Sequence, residues 1–523
     1  MPLRPAGAVA YRNDSHSICK SFTGLALYDM PRRRFFAGVF PKTASPNPPP
    51  ASPFPRSQTN SFTVTPAVAN SPAIAPAPPR DGTPVRFDAD ALICPVQGLI
   101  APASVIMRTL PVGGSQDGGS PSVANCEILA SGSPCEVDAH ALRLGLGSAR
   151  TSLPGRVLLP RTVNAHTHLD LTHIGPLPAA ADGFVGFANL VRSQRHSEPE
   201  AIARSVRAGV ALLEKSGTLA AGDIAGFVPG VDIASAASEP LLAAMPGSLS
   251  FLEYFALTDS AANLLPSRFA SLVSQNRIGL QPHALYSVGK AGYQFAFGRR
   301  DRHVATHLAE TLAESQLSMH ARGPLRDFLQ SMNLWTEQTA ALFGSRCSPV
   351  DRVLAQYGAP LRAATAARTP DLLCVHLNFV SDADIAVLAQ HACTVVYCPR
   401  SSAYFLAERD AGPHRYRDML AAGISVVLGT DSIINLPPSD VKRNGLSVLD
   451  EARLLIERDQ LAPITAVRMC TSAAAAALGL DPQEFNLLPG RKSGLISAAA
   501  AGLLSAAAPN SSGDGGSADI ALV

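Results

Sequence analysis

The sequence predicts an α/β protein built on a (β/α)₈, TIM-type barrel, and three observations carry that prediction. Eight short apolar runs recur between residue 156 and about residue 480. Helix-length stretches separate them, several with apolar residues three to four apart. Histidines and an aspartate stand at the C-terminal ends of these runs, and in a parallel barrel all such ends open on one face. A small β-sandwich domain formed from the segments flanking the barrel, and a disordered N-terminal extension, complete the expected architecture.

Residues 1–85 hold 16 of the 43 prolines, nine Arg or Lys and only three acids. Such sequence cannot bury enough apolar surface to offset chain entropy, so it is read as disordered. Its arginines (Arg32, Arg33, Arg34) and scarce acids also suit an organelle targeting segment or a mis-assigned start. Residues 86–155 carry β-type runs at Ala91 to Pro95, Ser104 to Thr109 and Ala139 to Leu144, the first part of the small β domain.

The eight barrel runs are Val157 to Val163, Thr218 to Ile224, Leu249 to Phe255, Ile278 to His283, His303 to His307, Leu372 to His376, Thr394 to Cys398 and Ile424 to Thr430. Between them, Glu200 to Lys215 spaces Ile202, Val206, Val210 and Leu213 along one helical face. Ser381 caps a helix with Asp384 three residues on. Leu446 to Asp459 and Ile464 to Leu478 supply two helices after the eighth run. The span from Met319 to Pro370 is long for a βα connection and is expected to hold extra helices. Residues 481–523 close the small β domain, with an Ala-rich insertion from Ser497 to Ala508 inside it.

Composition excludes several classes of function. Forty-three basic against 41 acidic residues give a net charge of +2, so no nucleic acid or anionic membrane is called for as partner. Nine cysteines without a C-x-x-C pair suggest neither a disulfide framework nor a zinc knuckle, and a reducing, cytoplasmic location fits. The longest Ala/Leu-rich run is too short to cross a bilayer. A small-molecule substrate is expected, with homo-oligomers compatible.

His166 and His168 lie at i and i+2 at the end of the first run, so both can face one metal ion. His283, His307 and His376 end the fourth, fifth and sixth runs, and Asp431 follows the eighth. Singly, any of these is explained by packing. Five of 13 histidines at strand ends, with the strand-eight Asp, are not. His320, His391 and His414 hold no such position and read as structural. A divalent ion with an open coordination position brings the pKa of its bound water toward about 7.

Six segments then make a resemblance plain: VNAHTHLDL (163–171), PHALYSV (282–288), THLAET (306–311), VHLNFVSD (375–382), YCPRSS (397–402) and LGTDS (428–432). The chain resembles the metal-dependent amidohydrolase superfamily, in its cytosine-deaminase, chlorohydrolase and nucleoside-deaminase branch. The resemblance covers residues 156–480. It implies that His166, His168, His307 and Asp431 are metal ligands, that Glu310 is the proton shuttle, and that His376 polarises the group under attack while Asp431 also assists the water. It places His283, Tyr286 and Arg400 at the substrate. None of the six lysines lies at the tip of the fourth strand, where two-metal relatives carry a bridging lysine, so one divalent transition metal ion is expected. Zinc is preferred, although three His and one Asp suit iron as well.

Leu285, where proline is usual, and Arg161-Thr162, where Gly-Leu is usual, depart from the pattern. The motifs are most similar to those of deaminases of adenine-bearing nucleosides, aminodeoxyfutalosine deaminases among them, and imply hydrolytic deamination of an aminopurine nucleoside. Another carbon–nitrogen hydrolase of the branch, acting on guanine, a triazine or an amide, is the second reading. A catalytically silent barrel serving as a binding scaffold is the third.

Overall fold

The computed structural model describes residues 82–110, 126–180, 182–227, 231–269, 276–299, 301–357, 372–504 and 520–522. The disorder expected for residues 1–85 therefore lies almost wholly outside the described residues. Two sheets organise the described chain. The first contains β1 (Val85–Cys94), β2 (Gly98–Ile100), β3 (Ala103–Thr109), β4 (Cys126–Gly132) and β5 (Ala149–Pro160). The second is the barrel: β6 (Thr162–Thr167), β7 (Thr218–Phe227), β8 (Leu249–Tyr254), β9 (Ile278–Pro282), β10 (Val304–Leu308), β11 (Leu372–His376), β12 (Cys393–Tyr397) and β13 (Ser425–Leu428). The chain then returns to the first sheet with β14 (Leu495–Ala499) and β15 (Ile520–Leu522), giving the order β15-β14-β5-β1-β3-β4 with β2 on β1.

All neighbouring barrel strands pair in parallel and in sequence order. A parallel bridge from Thr167 to Asp431 joins the first strand to the residues just past the eighth. Side chains alternate between two apolar layers, as the period of two requires. Val163, Phe251, Ala305, Leu373, Val375, Val396 and Val427 fill the interior, which Leu478, Leu480 and Phe485 extend. Leu252, Leu280, Val304, Leu372, Cys374, Val395 and Val426 face the helices, including Ile202, Val206, Val210 and Leu213 of the helix Pro199–Lys215.

Three expectations need correction. The run Val157 to Val163 is not one barrel strand. Val157 to Pro160 end β5 and pair with β1 and β14, and the barrel strand starts at Thr162. Arg161 forms the joint, its guanidinium donating to the carbonyls of Gly217 and Thr218 at 3.3 and 2.7 Å, which accounts for the departure from Gly-Leu there. Ala139 to Leu144 is helical. Ser133 and Glu136 make a capping box, Pro134 opens the helix and Gly145 closes it at φ +63°, so end signals override the apolar run. The helix from Ile464 to Leu478 is two helices, Pro463–Met469 and Ser472–Ala477. The break leaves the Cys470 carbonyl free to accept from the Val163 N–H at 2.8 Å, tying the barrel's first strand down.

Two helical readings stand. Ser381 and Asp384 form a capping box on Asp382–Gln390, and the long span after Met319 contains helices at Pro324–Ser331, Glu337–Ala340 and Pro349–Tyr357.

Candidate active site

The histidines expected at the strand ends meet at one rim of the barrel. Ring centroids are 4.9 Å apart for His166 and His168, 5.2 Å for His166 and His307, 5.3 Å for His307 and His376, and 5.1 Å for His283 and His307. His166, His168 and His307 each bring a nitrogen within 4.8 Å of the others, and His166, His376 and Asp431 make a second such triplet. Asp431 Oδ1 lies 3.6 Å from His166 Nε2 and 3.5 Å from His168 Nε2.

These atoms fit a metal ion on two counts. Nε2 of His166 and of His307 are buried without a hydrogen-bond partner, a costly state for a polar atom unless a cation takes its lone pair. Ligand atoms about 2.05 Å from a tetrahedral zinc stand roughly 3.4 Å from one another, close to the separations from Asp431. Charge states suit the same use. Burial, aided by neighbouring imidazoles, holds His168 and His307 well below the usual histidine range, so each ring is neutral and keeps one nitrogen lone pair available. Burial alone would raise the Asp431 carboxyl, but the imidazoles of His166, His376 and His168 outweigh it and keep the group ionised. Its other oxygen, Oδ2, accepts from Ser401 at 2.6 Å, fixing which oxygen faces the histidines.

Glu310 stands across the cluster, its Oε1 3.6 Å from His376 Nε2. Burial first, then the nearby Asp431 and Glu314, push its carboxyl well above the usual range, which favours its protonated form. Burial likewise holds His376 and His283 to about 3. Glu314 accepts the backbone N–H groups of Ala309 and Glu310 at 3.1 and 2.9 Å, and so sets the turn on which Glu310 sits. The sequence signal for Glu314 was its place as the acid three residues after the helix cap Thr311.

The rim departs from regular strand geometry in a repeated way. Ala309, His376, Leu377 and Asp431 all have left-handed φ, at +50°, +78°, +54° and +58°. Each such non-glycine residue costs about 1–3 kcal/mol and persists only where its surroundings enforce it. At His376 the effect is large. Along β11, Leu372 and Cys374 face the helices while Leu373 and Val375 face inward, so strict alternation would turn His376 away from the barrel interior. The left-handed turn breaks that alternation and delivers the imidazole to the site.

Next to His307, His283 Nδ1 is 2.7 Å from Ser287 Oγ, and its ring lies 5.5 Å from Tyr286 and 4.8 Å from Phe255. Tyr286 in turn meets Phe184 at 6.1 Å. His283 and Tyr286 thus stand beside the cluster, as expected. Arg400 differs from the expectation: its guanidinium donates to Glu451 at 2.6 Å and to the Ser447 carbonyl at 2.8 Å, and pairs with Asp440 at 3.4 Å. Those bonds tie the turn after β12 to the helix Val448–Asp459 rather than reaching into the histidine cluster. Leu285 is buried in the apolar layer outside the barrel.

Sequence reasoning did not single out the acids behind His283. Arg195 bonds Asp170 at 2.9 Å and Glu253 at 3.4 Å, and Asp223 accepts the Leu169 N–H at 2.9 Å, which anchors the turn after His168. These residues lie outside the quoted motifs except Asp170, and only folding assembles them.

The sequence profile of the amidohydrolase family matches residues 157–496. The chain belongs to the amidohydrolase family. As an amidohydrolase it is a metal-dependent hydrolase. It is 30% identical over 335 residues to the aminodeoxyfutalosine deaminase of Deinococcus radiodurans, spanning 62% of this chain and 73% of that one. It is 26% identical over 384 residues to the 5-methylthioadenosine/S-adenosylhomocysteine deaminase of Teredinibacter turnerae, spanning 66% and 72%. Among solved structures, Helicobacter pylori aminofutalosine deaminase superposes with a TM-score of 0.56 at 18% identity over 79% of this chain and 91% of that one. The zinc complex of atrazine chlorohydrolase from Arthrobacter aurescens superposes with a TM-score of 0.56 at 15% identity over 80% and 87%. Likeness at that identity speaks for the fold of this amidohydrolase. Among its described residues, no helix is long and apolar enough to cross a membrane.

Proposed function

We propose that this amidohydrolase deaminates an aminopurine nucleoside by hydrolysis, with His166, His168, His307 and Asp431 holding one divalent ion, zinc by preference. The observation that carries the reading is the set of buried histidine nitrogens without a hydrogen-bond partner, with the Glu310 carboxyl standing across the same cluster. Relatives named as deaminases of adenine nucleosides support the substrate class. When bound, the metal supplies Lewis acidity and lowers the pKa of a coordinated water.

The residues of the chain do the rest. Glu310 moves the proton: water adds across the C=N bond that bears the amino group, its oxygen to carbon and a proton through Glu310 to the ring nitrogen. The amine then leaves as ammonia with a second proton by the same route, and the carbon is left as a carbonyl. Atoms balance as one water consumed and one ammonia released. His376, neutral and aimed into the site, donates or accepts at the group under attack. The rings of His283, Tyr286 and Phe255 offer faces and edges that suit a planar heterocycle. Ammonia release from a panel of aminopurine nucleosides by zinc-loaded protein tests the reading. Turnover of guanine, a triazine or a simple amide in preference to every nucleoside would replace it.

A further inference from the structure

The left-handed turn at His376 needs an outside partner, and His414 supplies it. His414 lies between two short helices, Ala407–Ala411 and Tyr416–Ala421, far from the strand-end positions that mark the other site histidines. Its side chain is buried, 6% exposed. Nε2 is 2.8 Å from the carbonyl oxygen of His376, and Nδ1 accepts the backbone N–H of Tyr416 at 3.0 Å. A nitrogen that accepts an N–H carries no proton, so the neutral ring must hold its proton on Nε2 and donate it to His376. Burial keeps the ring neutral by holding its pKa down at about 4.

The ring itself cannot swing. It stacks on Tyr397 of β12 with centroids 3.7 Å apart and planes 15° from parallel. Tyr416 continues the stack, 5.6 Å from Tyr397, and its hydroxyl donates to Asp459 at 2.9 Å. A rigid donor is therefore held against the one carbonyl whose residue breaks the alternation of β11. The other left-handed turns at the rim have comparable braces: Glu314 on Ala309, and the His166 carbonyl on the Asp431 N–H at 3.0 Å.

We propose that His414 is a positioning residue for His376, its Nε2–H fixing the left-handed turn that aims the His376 imidazole into the active site. The role in turnover rests on the deaminase reading above, while the bracing of the turn does not. The test compares full-length, zinc-loaded protein with three variants. His414→Phe keeps a ring for the stack and loses the donor. His414→Gln keeps a donor at the reach of Nε2. His414→Asn loses that reach without requiring an aromatic ring to fit, and stands in if the Phe variant does not fold.

The Phe and Asn variants are expected to lose at least ~10-fold in kcat, since misplacement of about 1 Å at a reacting group can cost 10²-fold. Their KM and metal content should stay within about twofold, and Gln should recover most of the loss. Amide hydrogen exchange at residues 376–379 should accelerate in Phe and Asn and not in Gln. Wild-type kcat and exchange in the Phe or Asn variant would overturn the proposal, as would Gln failing together with Phe and Asn. If the unaltered protein releases ammonia from no aminopurine nucleoside, the deaminase reading fails, and the exchange experiment still decides whether His414 braces the turn.

Discussion

The barrel rim and the small sheet both bury polar and charged side chains and use them in opposite ways. In the small sheet, polar groups are closed on one another: Arg86 pairs with Asp88 at 2.8 Å and with Asp138, and Asp88 also takes Ser104 and Arg150. Around them Phe87, Leu92, Val105, Leu158, Leu487 and Leu495 make a continuous apolar cluster. At the rim, His166, His307, Glu253 and Asn378 each keep a buried atom without a partner, and four residues sit in left-handed turns. Among the described residues the small sheet leaves a single side-chain oxygen, Thr109 Oγ1, buried without a partner, whereas the rim holds several such atoms in reserve at a cost in stability. The difference separates the part of the molecule that carries chemistry from the part that holds it up, and substitutions should separate the two in the same way.

The largest effect is expected at the rim. His307→Ala removes one of the four proposed metal ligands, so zinc content measured on purified protein should fall well below one equivalent and turnover should vanish with it. Chelation of the unaltered protein should lower its thermal midpoint, because a metal that binds only the folded state stabilises it. Two equivalents held with similar affinity would refute the single-metal site. Next in size, Glu310→Gln should keep the metal and cut kcat by about 10²–10⁴, the usual share of a positioned acid or base. The amide keeps the shape and cannot carry the proton. If this variant turns over at the normal rate, Glu310 is not the shuttle and the rim holds its proton chemistry elsewhere.

How much of this was legible before folding follows the same division. The proposed metal ligands, and His376 beside them, could be read because chemistry places such residues on strand ends, and strand ends are visible as the close of an apolar run. His166, His168, His307, His376 and Asp431 all declared themselves that way. The braces could not be read. Glu314 and Ser401 look like a helix cap and a small polar residue, and Arg195 meets Asp170 and Glu253 only because folding brings the end of the helix Gly183–Gln194 to the short helix after β6 and to strand β8. His414 looked structural, and its bond to His376 depends on a turn whose φ no residue type announces. Arg400 failed in the other direction: its place in the YCPRSS segment suggested substrate, whereas Glu451, which it meets, is supplied by a helix some fifty positions later. In the small sheet the boundary residues Val157 to Pro160 were misassigned because an apolar run does not say which of two sheets it joins.

Substitution in the small sheet should give the converse pattern. Phe87 is fully buried in its cluster, so Phe87→Ala should destabilise by about 3–5 kcal/mol, as cavities in packed cores do. Among chains that remain folded, metal content and kcat should be unchanged. A fall in kcat larger than the loss of folded protein would show that the small sheet shapes the rim after all.

The smallest effect is expected from removing residues 1–81, and it sharpens the comparison at its edge. Sequence rich in proline and poor in acids is not expected to bury much apolar surface, so a chain starting at residue 82 should keep its thermal midpoint, metal content and kcat. A chain starting at residue 86 should not keep its midpoint. It lacks Val85, which is 5% exposed and pairs with Met107 and Ala149 on its two sides. Burying a valine contributes about 1.5–3 kcal/mol, and that loss falls entirely in the small sheet. The two truncations differ by four residues and should therefore differ in stability while agreeing in kcat. Equal stability would place the edge of the small sheet later than Val85, and a drop in kcat for either chain would mean that the segment before it contributes to the rim.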